Sequence, residues 1–105
     1  MNDSPGVRLS RKERLILELL SDGDRFGLEL VERSNGGLKR GTVYVTLGRM
    51  QAKGYVESRT EPLPPGAMGL PRRFYRPTAY GLRVLNAWNL AARMLAGHIP
   101  AGAQS

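Results

Sequence analysis

The chain has 105 residues, 41% hydrophobic and 24% charged, which suits one folded domain with a modest core and is too apolar for wholesale disorder. It has no cysteine and one histidine, which excludes a disulfide framework, a thiolate metal site and a cysteine nucleophile, and leaves no credible catalytic triad. Its net charge of +7 points to a polyanionic partner, nucleic acid ahead of a membrane surface.

The opening MNDSPGVRLSRK lacks the apolar centre of a signal peptide, and the longest apolar run, within LILELL, is broken by Glu18 and too short for a bilayer. The expectation is a soluble cytoplasmic protein with a flexible arm over residues 1–9. A first helix starts at SRKE, where Ser10 and Glu13 have the spacing of a capping box. Leu15, Ile16, Leu19 and Leu20 follow as an apolar stripe, and SDGDR ends the helix, with Gly23 as its stop.

FGLELVERSN predicts a second helix with Phe26, Leu30 and Val31 buried and Glu29, Glu32 and Arg33 outward. Gly27 in its first turn costs helix stability relative to alanine, which predicts a close crossing by another helix. Asn35-Gly36-Gly37 turns the chain. A third helix spans 41–53 and stops at Gly54. Val43, Leu47 and Met50 face its core side, Tyr44 lies at its edge, and Thr42, Val45, Thr46, Arg49 and Lys53 form the other face. That face carries no carboxylate, whereas a merely solvated face mixes charge signs.

YVESRTE alternates like a strand, with Val56 inward, and RRFYRP reads as its return. Between them lies PLPPGAMGLP. Alone it resembles a polyproline II ligand; between two strands it reads as a hairpin tip. A last helix of about 20 residues follows, with Thr78 as N-cap and an apolar stripe of Val84, Leu85, Trp88, Ala91, Ala92 and Leu95. The tail PAGAQS is expected to be disordered, and His98 before it to be a surface residue.

Charge follows this layout. Residues 1–38 carry six basic and seven acidic side chains, net −1; residues 39–76 carry eight and two, net +6; residues 77–105 carry two and none, net +2. The excess sits on the third helix and the hairpin. The predicted fold is mainly α with a small β-hairpin: a winged helix-turn-helix over 10–77, one C-terminal helix over 78–97 and a flexible tail over 98–105.

At this point the chain resembles the PadR family of bacterial transcriptional regulators. The resemblance rests on LELLSDGDRFGLELVERS, GTVYVTLGRMQAKGYVES and GLPRRFYRPTAYG, and on Gly27, Glu29, Leu30, Gly41, Thr42, Tyr44, Lys53, Gly54, Val56, Gly69, Pro71, Arg72, Arg73, Tyr75, Thr78 and Gly81 within them. It covers roughly residues 10–96. Val45 stands where the family often has a polar residue, Pro77 where it has an apolar strand residue, and the wing tip is unusually proline-dense.

The resemblance implies a homodimeric repressor of a palindromic operator, in a short form with a single dimerisation helix. Neither enzyme activity nor a cofactor is expected. The expected double-stranded DNA contacts are Lys39, Arg40, Gly41, Thr42, Tyr44, Val45, Thr46, Arg49 and Lys53, with Arg72 and Arg73 of the wing. Arg40 is the first candidate for base readout, against a solvated turn residue. Lys39 and Arg49 suit phosphates, as do the N–H groups of Gly41 and Thr42. Tyr44 is either a phosphate donor or core. Val45 suits a thymine methyl. The expected dimer surface is Leu15, Val84, Leu85, Trp88, Ala91, Ala92 and Leu95. Trp88 is either interface core or a stacking platform for a small planar aromatic effector. Two rival readings remain: a winged-helix protein-interaction module (an anti-repressor or adaptor), and RNA or non-specific DNA binding.

Overall fold

The computed structural model describes residues 9–97. The elements run α1 (Arg11–Leu20), β1 (Arg25–Phe26), α2 (Gly27–Arg33), α3 (Arg40–Ala52), β2 (Val56–Glu61), β3 (Arg72–Pro77) and α4 (Ala79–Gly97). His98, the tail and the arm before Leu9 lie outside the described residues. Among the described residues no helix is long and apolar enough to cross a membrane.

The capping box of α1 forms. Ser10 Oγ accepts from the Glu13 N–H at 3.1 Å, and Glu13 Oε1 accepts from the Ser10 N–H at 3.0 Å. The buried face is rotated from the expected stripe: Glu13, Ile16, Leu17 and Leu20 point inward, and Leu15 and Leu19 are half-buried at the core's edge. In LILELL five of six residues are aliphatic, so the sequence leaves the direction of the stripe open. The positions at i, i+3, i+4 and i+7 are taken by Glu13 and three aliphatics.

Phe26 is not part of α2. It ends a two-residue strand that pairs with β3, in the register Arg25↔Tyr75 and Phe26↔Phe74. The hairpin is therefore part of a three-stranded antiparallel sheet of order β1-β3-β2. Phe26 and Phe74 meet edge to face at 5.6 Å and 83°. This contact holds Phe26 in the sheet, and Glu29 caps α2 from within by accepting from the Phe26 N–H at 3.0 Å.

α2 ends at Ser34. Asn35 (φ 51°) and Gly36 (φ 91°) take left-handed conformations that reverse the chain. Ser34 Oγ accepts from the Leu38 N–H at 2.9 Å and sets Leu38 into the core. Val43, Leu47 and Met50 of α3 are fully buried, as their spacing predicts. They pack with Ile16, Leu17, Leu20, Leu30, Tyr55, Val56, Tyr75, Val84 and Leu85 in one core. Burying a side chain of this size contributes about 1.5–3 kcal/mol.

β2 and β3 pair from Val56↔Pro77 to Glu61↔Arg72. One face of this ladder places Val56 and Tyr75 in the core. The other carries a charged lattice: Arg76 Nε meets Glu57 Oε2 at 2.6 Å, and Arg59 bridges Asp24 at 3.2 Å and Glu61 at 3.3 Å. Thr78 then caps α4, accepting from the Gly81 N–H at 2.9 Å. Its hydroxyl donates to the Gly54 carbonyl, and its N–H donates to Tyr55 O at 3.0 Å. Gly81 is buried directly under the Tyr55 carbonyl, where any Cβ would collide with backbone.

Candidate nucleic-acid interface

The outer face of α3 assembles as its spacing predicts. Thr42, Val45, Thr46, Arg49 and Lys53 line one side of a groove of about 670 Å³, and Ser10, Arg11, Lys12 and Glu13 from the start of α1 line the other. Arg11 and Lys12 extend the basic surface. The sequence reading missed them because it assigned SRKE only to capping. Thr46 Oγ1 donates to Thr42 O at 3.2 Å and Thr42 Oγ1 to Lys39 O at 3.4 Å, so both hydroxyls offer lone pairs to the groove.

A carboxylate does reach this surface. Glu13 Oε2 lies 2.6 Å from Lys53 Nζ. Burial pushes the Glu13 carboxyl up; the hydrogen bonds from Lys53 and from the Ser10 N–H, with the Lys53 charge, outweigh burial and hold it below its ordinary value. Lys53 is thus partly neutralised. Lys39, Arg40 and Arg49 are exposed and form no ion pair among the described residues.

Arg40 does not share the α3 groove. It borders a depression of about 310 Å³ with Leu28, Val31 and Glu32 of α2. Tyr44 faces a third region. With Phe26, Gly27, Leu28, Leu70, Pro71, Arg72, Arg73 and Tyr75 it lines a cleft of about 700 Å³ between α2, α3 and the root of the wing. Its ring lies over Gly27, where a Cβ would come within 2.5–2.6 Å of the ring and hydroxyl. This is the close crossing that Gly27 predicts. Arg72 stacks over Phe26 at 5.1 Å. Burial raises the Tyr75 phenol pKa, Arg73 pulls it back and Tyr44 pushes it further up.

On α4, Val84 and Leu85 are buried within the subunit's own core and are not open to a partner, a correction to the expected dimer surface. Leu15, too, packs against this core. The open part of the stripe is further along: Ala91 and Leu95 (71%) are exposed, with Trp88 and Ala92 half-buried, and Leu90 (52%) and Met94 (60%), round the helix from the stripe, are exposed as well. The Arg14 guanidinium sits 4.6 Å from the Trp88 ring centre and covers one face of the indole.

No functionally curated protein matches the chain significantly. Among solved structures it is similar to a PadR family transcription regulator from Clostridium difficile (25% identity, TM-score 0.71, covering 84% of this chain and 93% of that one). It is also similar to a PadR-like transcriptional regulator from Bacillus cereus (25%, TM-score 0.70, 89% and 91%). The fold is shared with Bacillus subtilis PadR, solved in complex with operator DNA (21%, TM-score 0.68, 77% of this chain). This chain spans about half of that protein, 48%. The signature of the Transcriptional regulator PadR-like family matches residues 16–87, and the chain belongs to that family.

Proposed function

We propose that the protein binds double-stranded DNA in the bacterial cytoplasm, as a homodimer on a palindromic operator, and represses transcription. The observation that carries this reading is the groove along α3, where Arg49, Arg11 and Lys12 converge on an exposed helix face. That the B. subtilis relative of the same fold was solved with operator DNA supports it.

In this reading α3 enters the major groove. Arg40 reads a guanine from the first turn, and a bidentate contact of that kind is worth about 1–3 kcal/mol of discrimination. Lys39 and Arg49 take phosphates, joined by the N–H groups of Gly41 and Thr42 at the helix start. Val45, 54% exposed, meets a thymine methyl. Thr46 accepts from a base amino group. Tyr44, Arg72 and Arg73 approach the backbone from the wing side, while Lys53 adds only part of a charge. Subunits join through Trp88, Ala91, Ala92 and Leu95, with Met94 at the edge of that surface. A planar effector stacking on Trp88 must either displace Arg14 or use the opposite indole face.

The exposed Val45 favours one second reading, a protein-interaction module. Footprinting of the DNA upstream of its own gene separates the two. Two symmetric protected half-sites about one helical turn apart support the regulator. Absence of protection at low salt supports the module.

A further inference from the structure

We propose that the wing tip is an apolar wedge, with Met68 and Leu70 entering the minor groove of the bound duplex and parting a base step. The proposal rests on the DNA-binding reading above and goes beyond it.

The tip, residues 62–71, is ten residues without a charged side chain. Met68 is 93% and Leu70 87% exposed, so two large apolar side chains stand in water on one loop. They make too small a patch for a stable protein interface, which needs several hundred Å². A wedge needs only one or two such side chains: inserted Met, Leu, Ile, Phe or Pro unstack a step and kink DNA by about 20–90°.

The loop is also stiff. The Ala67 N–H donates to Pro64 O at 3.0 Å, and Gly66 has φ 84°. Pro65 and Gly66 therefore hold the central positions of a type II turn. Gly69 (φ 108°) makes a second left-handed bend between Met68 and Leu70. Pro62 and Pro71 close the two ends of the loop. A side chain presented on such a loop loses little conformational freedom on insertion.

Charge and placement fit a duplex. Arg72 and Arg73 stand immediately below the tip, and Glu61, opposite Arg72 in the ladder, is held by Arg59. Leu70, Pro71, Arg72 and Arg73 line the same cleft as Tyr44 of α3, so the root of the tip borders the recognition helix. A duplex seated on α3 brings its neighbouring minor groove to the wing.

The experiment uses duplexes enriched from a random pool by the wild-type protein, with 2-aminopurine placed at successive steps, and compares the wild type with M68S/L70S and M68L/L70M. Both side chains are solvent-exposed, so the variants are expected to fold normally. The expected result is a several-fold fluorescence rise at one step per half-site with wild type and M68L/L70M, lost in M68S/L70S. The variant M68S/L70S also loses most of the bend read by permuted-fragment mobility. If the wild type binds but the serine variant leaves fluorescence and bend unchanged, the wedge is overturned and the DNA-binding reading stands. A serine variant that instead changes oligomeric state, with bending intact, overturns the wedge in favour of a protein contact. Failure of the wild type to enrich any duplex overturns both.

Discussion

Lys53 Nζ lies 2.6 Å from Glu13 Oε2, joining the end of α3 to the start of α1 across forty residues of sequence. The pair uses part of a cation on the face proposed to meet DNA.

Glu13 makes stability pH-dependent. Its folded pKa lies below the ordinary carboxylate value, so its contribution is present in full above that value and lost as pH falls through the lower native one. Glu13→Gln removes the charge and weakens the cap, at an expected cost of about 1–2 kcal/mol at pH 7. Urea melts at pH 7 and pH 3 should show the gap between wild type and E13Q narrowing at the acid end. A gap that is constant with pH contradicts this account of the pair.

Lys53→Ala and Arg49→Ala should separate in a salt titration. Arg49 has no ion pair among the described residues, and its loss should lower the slope of log K against log salt by about one unit. Lys53, shared with Glu13, should lower it by about half a unit or less. Equal slopes would place Lys53 fully on a phosphate.

Arg40→Ala should weaken binding to an enriched duplex by about 1–3 kcal/mol and leave binding to unrelated DNA nearly unchanged. Competition with random-sequence DNA measures the ratio. An unchanged ratio would remove Arg40 as a base reader.

Two glycines should respond differently to alanine. At Gly81 the new Cβ meets the carbonyl of Tyr55, which is backbone and cannot step aside. An overpacking cost of about 3 kcal/mol or more is expected. At Gly27 it meets the far end of Tyr44, whose side chain is 49% exposed and can swing outward. G27A should stay within about 1 kcal/mol of wild type in thermal melts, helped by better helix propensity, yet weaken DNA binding by moving Tyr44. If G27A binds as wild type does, Tyr44 has no DNA contact there.

Met94→Glu on the open half of α4 should give a folded monomer by sedimentation and a large loss of affinity for a two-half-site duplex, with single half-site binding retained. A dimeric M94E would move the interface elsewhere.

What was legible in the sequence was local. Ser10 with Glu13, and Thr78 with the Gly81 N–H, close within three residues and read directly as caps. Val43, Leu47 and Met50 stand alone on their face, so their spacing has one solution. Phe26 reads as helical because a two-residue strand has no alternation; the strand exists only through its pairing with Phe74 and Tyr75, far along the chain. Glu13's second partner is forty residues away and leaves no local mark. On α4 a single stripe runs from Val84 to Leu95, and periodicity cannot divide the part its own core covers from the part left open. On α3 helical spacing united Thr42, Val45, Thr46, Arg49 and Lys53, but it could not reveal that Arg40 borders α2 or that Tyr44 belongs to the wing cleft.

The hydroxyl of Thr78 sits between the ends of three elements: it donates to the Gly54 carbonyl beyond α3, lies beside Tyr55 O before β2 and receives the Gly81 N–H of α4. The backbone of α4 is pressed against Tyr55 with no room for a side chain. α3 and α4 thus share one welded corner rather than a flexible joint. A pair of subunits joined through α4 would work as calipers, with the jaw gap fixed by the angle between two long helices. Inserting or deleting base pairs between half-sites should then be penalised at every step, and a molecule that changed the α4 crossing angle would change which spacing fits.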